Sequence, residues 1–178
     1  LVTPTILVVD DQEPNVQLVC GFLLDEGYEV VPASSGPQAL ERIASQLPDL
    51  ILMDVLMPGM VGFALCERVR LLPECAAIPV IFLIGPGQDL HELRGYCEGA
   101  ADVIVRPLLA EKVLARVATH VQLKRSGELL NRQSQHLEAL VAERTRELSR
   151  VNQQLQMQLD ENRSLAEQDA LTRIANRY

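Results

Sequence analysis

Thr5-Ile6-Leu7-Val8-Val9-Asp10-Asp11 is an apolar run, rich in β-branched residues, that stops on two carboxylates. Leu50-Ile51-Leu52-Met53-Asp54 repeats the pattern and stops on a third. Runs that are apolar at every position, and not at every second one, belong to strands buried on both faces. A parallel sheet between two helical layers provides that burial. Working outward, Glu29–Val31, Val80–Ile84 and Val103–Val105 supply three more short runs. Between and after them apolar residues recur at helical spacing, as in Val16, Val19, Cys20, Leu23 and Leu24, or Val113, Leu114, Val117 and Val121. Ser35-Gly36-Pro37 supplies a cap and a first-turn proline ahead of Ala39, Leu40 and Ile43. The pattern predicts an α/β, doubly wound fold with five parallel strands.

The 178 residues are enough for one such domain and an appendage. The boundary is visible in composition. All ten prolines lie at or before Pro107, and Gly127 is the one glycine of ten beyond residue 100. Up to residue 122 there are 7 basic and 16 acidic side chains, and after it 9 and 8, so the net charge of -8 belongs to the first part. That acidity, with no basic stripe interleaved with aromatics, argues against nucleic acid as a direct partner. No apolar run reaches the roughly 18 residues of a membrane span. Cys20, Cys66, Cys75 and Cys97 lack metal or disulfide spacing and read as reduced thiols of a cytoplasmic protein. The chain opens on Leu1 with no secretory signal, and reads as a piece excised from a longer protein.

From about Ala110 the helical pattern continues toward residue 166. Leu130, Leu137, Val151 and Leu165 share one heptad position and Val141, Leu148 and Leu155 the other, so 7 of the 11 seam sites from 130 to 165 are apolar. This predicts a parallel coiled coil with polar sites at Ser134, Arg144, Gln158 and Asn162, and a register shift near Leu159. The alternative is a single amphipathic helix lying on another domain. Glu143, Arg144, Arg146, Glu147 and Arg150 read as a solvated, salt-bridged face.

Asp10, Asp11 and Asp54 end the first and third strands, and in an open parallel sheet the carboxyl ends of strands beside a topological switch point form the ligand crevice. Three converging carboxylates repel one another unless a hard, oxygen-seeking cation such as Mg²⁺ joins them. With that charge offset, an aspartate at the rim can attack a phosphoryl group. Asp54, followed by Met57-Pro58-Gly59, is placed for it. Helix or turn capping would account for any one of these aspartates, and poorly for the trio.

Ile6-Leu7-Val8-Val9-Asp10-Asp11, Pro14-Asn15, Asp54-Val55-Leu56-Met57-Pro58-Gly59 with Gly62-Phe63, and Gly99-Ala100-Ala101-Asp102 before Arg106-Pro107 stand in an order and spacing that resemble the receiver domain of two-component response regulators. The resemblance covers residues 5 to about 122. It implies a flavodoxin-like sheet of strand order 2-1-3-4-5 and Asp54 as phosphoacceptor. It also implies Mg²⁺ held by Asp11, Asp54 and the Leu56 carbonyl, with Asp10 assisting through water. The phosphodonor would be a histidine kinase or phosphotransfer protein. Such receivers pair through a surface that here would include residues 89–98 and 110–121, so a parallel homodimer is expected.

The departures are specific. Where the family carries a Ser or Thr hydroxyl at the end of strand four, this chain has Ile84 followed by Gly85. The family's switch aromatic is Val103, its basic lysine is Arg106, and an acidic loop residue before Gly62 is Val61. Arginine keeps the charge but presents a planar fork in place of a compact ammonium. Two readings follow: phosphorylation sensed by a modified route through Arg106 and the Ile84-Gly85 backbone, or a pseudo-receiver that pairs without it.

Asp169-Ala170-Leu171-Thr172-Arg173-Ile174-Ala175-Asn176-Arg177-Tyr178 resembles the DxLTxLxNR opening of GGDEF diguanylate cyclase domains, with Arg173 where glycine is usual. The organisation expected is a receiver at 1–122, a helical coiled-coil linker at 123–166 and the start of a truncated GGDEF domain at 167–178. The resemblance implies a parent protein that makes cyclic di-GMP from GTP; a different output domain is the alternative. No GG[DE]EF loop occurs in the 178 residues, so no cyclase chemistry is assigned to this chain. A flavodoxin-like nucleotide binder is disfavoured by Asp10-Asp11-Gln12-Glu13 after strand one and by the absence of GxGxxG or GxxxxGK[ST]. A metal-dependent phosphatase would need a second acid or base over Asp54. His91-Glu92-Leu93-Arg94 is similar to a sensor-kinase motif but continues Gly95-Tyr96-Cys97, and reads as a surface segment; His120 and His136 lack partners at metal spacing.

Overall fold

The computed structural model describes residues 3–59, 62–87 and 99–175, with side chains as far as Glu167. Residues 88–98, which include His91, Cys97 and the 89–98 part of the expected pairing surface, lie outside the described residues, as does Val61. The element order is β1 (Thr5–Val9), α1 (Glu13–Asp25), β2 (Glu29–Ala33), α2 (Gly36–Ser45), β3 (Leu50–Asp54), α3 (Gly62–Arg70), a 3-10 turn at Pro73–Cys75, β4 (Val80–Ile84), β5 (Asp102–Val105) and α4 (Ala110–Ala175). The five strands form one parallel sheet in the order β2-β1-β3-β4-β5. This is the flavodoxin-like topology followed by a long C-terminal helix.

The all-apolar runs do what their pattern requires. Every residue of β1, β3 and β4 is buried, and the two-residue period of a strand sorts them onto two cores. Leu7, Val9, Ile51, Met53, Phe82 and Ile84 face one way, against Ala39 and Ile43 of α2 and Leu65 and Val69 of α3. Ile6, Val8, Leu50, Leu52, Ile81 and Leu83 face the other, against Val19 and Leu23 of α1 and Val113, Val117 and Val121 of α4. β2 runs two residues further than the sequence run, to Ala33. It is an edge strand, which tolerates Pro32. β5, the other edge, begins one residue early at Asp102. The cap before α2 forms as read, with Ser35 Oγ accepting the Gln38 N–H at 3.4 Å.

The chain divides into two compact units, one ending at Glu128 and the second beginning at Leu129. The division falls inside α4, which is helical through Gly127. In the second unit Leu130, Leu137, Val141, Leu148, Val151, Leu155 and Leu165 are all exposed. Arg144 and Glu147 pair at 2.7 Å on the solvated face read from the sequence. No helix among the described residues is long and apolar enough to cross a membrane.

One anchor of α4 carries no local sequence signal. Asp102 accepts from Arg116 Nη1 at 2.7 Å and lies 3.0 Å from His120 Nε2. Burial would push its carboxyl up, but the Val103 N–H, His120 and Arg116 outweigh that and hold it below the ordinary carboxylate value. A carboxyl depressed in the folded state contributes stability that is present above its unfolded value and lost as pH falls through the folded one. Asp102→Asn is therefore expected to flatten the acid limb of the stability profile below about pH 4, read by denaturant unfolding.

Candidate functional site

The carboxyl ends of β1 and β3 carry the three aspartates into one crevice. Asp10, Asp11 and Asp54 each present an oxygen within 4.8 Å of the others. Asp10 and Asp54 are buried and Asp11 is exposed. A buried carboxylate is costly unless paired, and Asp10 is fully supplied. Its Oδ1 accepts the Gln12 N–H at 2.9 Å and Asn15 Nδ2 at 3.4 Å, and its Oδ2 accepts Arg106 Nη2 at 2.7 Å.

Arg106 reaches the crevice from the residue after β5. Its Nη2 stands 2.7 Å from Asp10 and 3.6 Å from Asp54 Oδ1, so one guanidinium serves two carboxylates. Its backbone N–H donates to the Ile84 carbonyl at 2.8 Å, tying the end of β4 to the strand end that delivers the arginine. Burial pushes the Asp54 carboxyl up and the charge of Asp10 adds to the shift, while Arg106 and the N–H groups of Leu56 and Val55 pull against both. The residues fit a hard cation: a donor set of carboxylate oxygens, close enough for one small ion, with a net negative charge left after Arg106.

Ile84 is buried in the core with Phe82, Met53 and Val55, and Val103 packs against the same cluster. These two positions therefore contribute packing and backbone atoms where a hydroxyl and an aromatic ring were expected of the family.

A receiver-domain family model, described as "Response regulator receiver domain", matches residues 6–118. The chain belongs to the response regulator receiver family. Among curated relatives, Response regulator PleD of Caulobacter vibrioides is 40% identical over 119 residues, 67% of this chain and 26% of PleD. A Vibrio cholerae protein named "Probable cyclic di-GMP phosphodiesterase" is 37% identical over 147 residues, 83% of this chain and 33% of its own length. The receiver chain thus spans a quarter to a third of the length of these relatives. Among solved structures, chemotaxis response regulator CheY4 of Vibrio cholerae superposes with a TM-score of 0.62 at 30% identity, covering 67% of this chain and 99% of that one. Receiver domains are not themselves enzymes; they take phosphoryl groups from histidine kinases and bind Mg²⁺ at an acidic pocket, and here the acidic pocket is the Asp10, Asp11 and Asp54 cluster.

The three aspartates, Arg106 and Ile84, all singled out by their place in the sequence, come together at the ends of β1, β3, β4 and β5. The support that Gln12 and Asn15 give Asp10 is an addition from the structure. Its signal was present, since an aspartate two residues before an available N–H makes an Asx-turn. The physical need for Gly62 is a second addition. A Cβ there would overlap the Asp54 carbonyl oxygen and stand 3.1 Å from the Val55 Cα, both backbone atoms that cannot swing aside. Beyond it, Phe63 packs edge-to-face on Phe82, with centroids 5.1 Å apart, and fixes the start of α3 beneath the crevice. Gly62→Ala is expected to lower the unfolding free energy by about 2 kcal/mol, the usual cost of forcing a methyl group into close-packed surroundings. Urea denaturation measures it; a midpoint equal to wild type would show that the loop yields freely.

Proposed function

We propose that this receiver is controlled by phosphorylation of Asp54 and passes the result along α4 to an output that makes cyclic di-GMP. The observation that carries the reading is the crevice: three carboxylate oxygens within 4.8 Å of one another, at the ends of β1 and β3, with Arg106 reaching two of the three aspartates. Asp11, Asp54 and the Leu56 carbonyl would hold Mg²⁺, with Asp10 acting through water. Bound there, the ion would supply positive charge for the phosphoryl oxygens. An Asp54 oxygen attacks the phosphorus of a phosphohistidine donor, and the P–N bond breaks as the P–O bond forms. The Asp54 carboxylate has the support of two backbone N–H groups to keep it oriented for attack.

Arg106 is the group that senses the product. Before transfer its shorter contact is with Asp10, and a phosphoryl group on Asp54 offers it three new acceptor oxygens in a geometry suited to a planar fork. Because Arg106 N–H is bonded to the Ile84 carbonyl, movement of the arginine is felt at the end of β4 without a side-chain hydroxyl. The response is pairing of two chains, through the receiver and the exposed seam of α4, in the cytoplasm.

Two observations support an output that acts on cyclic di-GMP, and the first of them favours its synthesis. Residues 169–178 resemble the start of a GGDEF domain, and the relative named for a cyclic di-GMP phosphodiesterase matches 147 residues, more than the 113 of the receiver model alone. The second favours an alternative reading in which the output degrades the nucleotide. Titration with beryllofluoride and Mg²⁺, followed by light scattering, tests the switch: a shift from monomer toward dimer is expected. A chain equally dimeric with and without the mimic would make it a pseudo-receiver. The residues that follow Tyr178 in the parent protein decide the output.

A further inference from the structure

Val121 is the last apolar side chain of α4 buried in the receiver unit. Beyond it, among residues whose side chains are described, every position is exposed except Lys124. A lysine near the end of a packed helix ordinarily keeps its ammonium in water, so a side chain only 14% exposed needs a partner. The partner is Asp49, whose Oδ1 accepts from Lys124 Nζ at 3.0 Å; Glu128, one turn on, lies 3.6 Å from the same nitrogen.

Asp49 is also held by groups other than the lysine. Its Oδ2 accepts the Thr5 N–H at 3.0 Å, and its own N–H donates to the Thr5 carbonyl at 2.7 Å. The Thr5 hydroxyl donates to Glu29 Oε2 at 3.1 Å and accepts from Gln46 Nε2 at 3.3 Å. Burial pushes the Asp49 carboxyl up, but the Thr5 N–H and Lys124 outweigh it and hold it below the ordinary range; Arg125, the next residue of the helix, adds to the positive field. An exposed ion pair is weak largely because two flexible side chains must both be ordered. Here one of the two is already ordered by the start of β1, the strand whose other end leads into Asp10 and Asp11.

We infer that Lys124 and Asp49 form a latch that sets the last turn of α4 belonging to the receiver, and so the point beyond which the helix is free to change its pairing. Lys124 is a positioning residue here. The purpose of the latch rests on the proposed signalling role of α4, while the latch itself is independent of phosphorylation.

Hydrogen exchange of the full chain, without metal or phosphoryl mimic, tests it at the amides of residues 122–128. Lys124→Gln and Asp49→Asn are each expected to speed exchange there about fivefold, the scale of one partly shielded ion pair. The double variant should be no faster than either single one, and Lys124→Arg should stay within about twofold of wild type. Asp49→Asn retains a side-chain oxygen for the Thr5 N–H, so amides of β1 and β3 should keep their protection. Unchanged exchange in Lys124→Gln, effects that multiply in the double variant, or an arginine variant as fast as the glutamine one would overturn the latch. Faster exchange in β1 and β3 as well would make the pair a general stabiliser and would also overturn it. Failure of Asp54 to accept a phosphoryl group leaves this result untouched.

Discussion

Asp54→Asn is expected to lose all beryllofluoride-dependent dimerisation and to bind Mg²⁺ on the order of tenfold or more weakly, while still folding. The amide has nearly the shape of the carboxylate but neither its nucleophilic oxygen nor its charge, and both are needed for an acyl-phosphate type of adduct. Loss of one of three close carboxylates lowers the pull on a hard cation. The fold should survive because Asp54 is not what neutralises the buried Asp10. That work falls to Arg106 at 2.7 Å and to the Gln12 N–H. The 3.6 Å contact from Arg106 to Asp54 is the longer of the pair and is the one given up. An unfolding midpoint within a few degrees of wild type, together with a silent response to the mimic, would assign the loss to chemistry. A variant that still dimerised on adding beryllofluoride would move the phosphoacceptor elsewhere.

The second large effect lies in the C-terminal helix. Leu148→Asp together with Leu155→Asp should abolish pairing of the chains at concentrations where the wild type, loaded with the mimic, is dimeric. Both leucines occupy one heptad position and both are more than half exposed in a single chain, at 66% and 51%. Burying a leucine in a seam is worth about 2 kcal/mol, and two chains lose two each. Even with part of that sum already lost to the polar seam sites Arg144 and Asn162, about 5 kcal/mol remains. That is more than a thousandfold in dissociation constant. Sedimentation equilibrium measures it directly. A double variant as dimeric as wild type would place the contact on another face and return α4 to the role of a single helix.

The sheet was readable because its strands are buried on both sides. A run such as Leu50–Met53, with no polar residue to mark a solvent face, has few other homes, and two such runs ending in aspartate place the crevice as well. The edges are harder to read. β2 carries Pro32 and Glu29, whose exposure blurs the pattern, so its last two residues do not stand out. Arg106 and Ile84 are marked by position within a recognisable motif, and their partners are not. That the Arg106 guanidinium prefers Asp10, and that its N–H joins the Ile84 carbonyl, depends on how β4 and β5 register, which no local pattern encodes. The same holds for Asp102 with Arg116 and His120, and for Asp49 with Lys124. These pairs span 14 to 75 residues and follow from α4 packing across the sheet. The exposed apolar stripe of α4 is legible from its heptads alone, since a pattern repeating every three and four residues needs no tertiary knowledge to be seen.

The most direct measurement is the intact mass of the full chain after incubation with acetyl phosphate and Mg²⁺, with the modified peptide then located. Phosphorylation at the crevice predicts a gain of one phosphoryl group on the peptide that carries Asp54, absent when the metal is chelated and absent in Asp54→Asn. A chain that gains no mass under conditions that label other receivers, or gains it on a different residue, would contradict it.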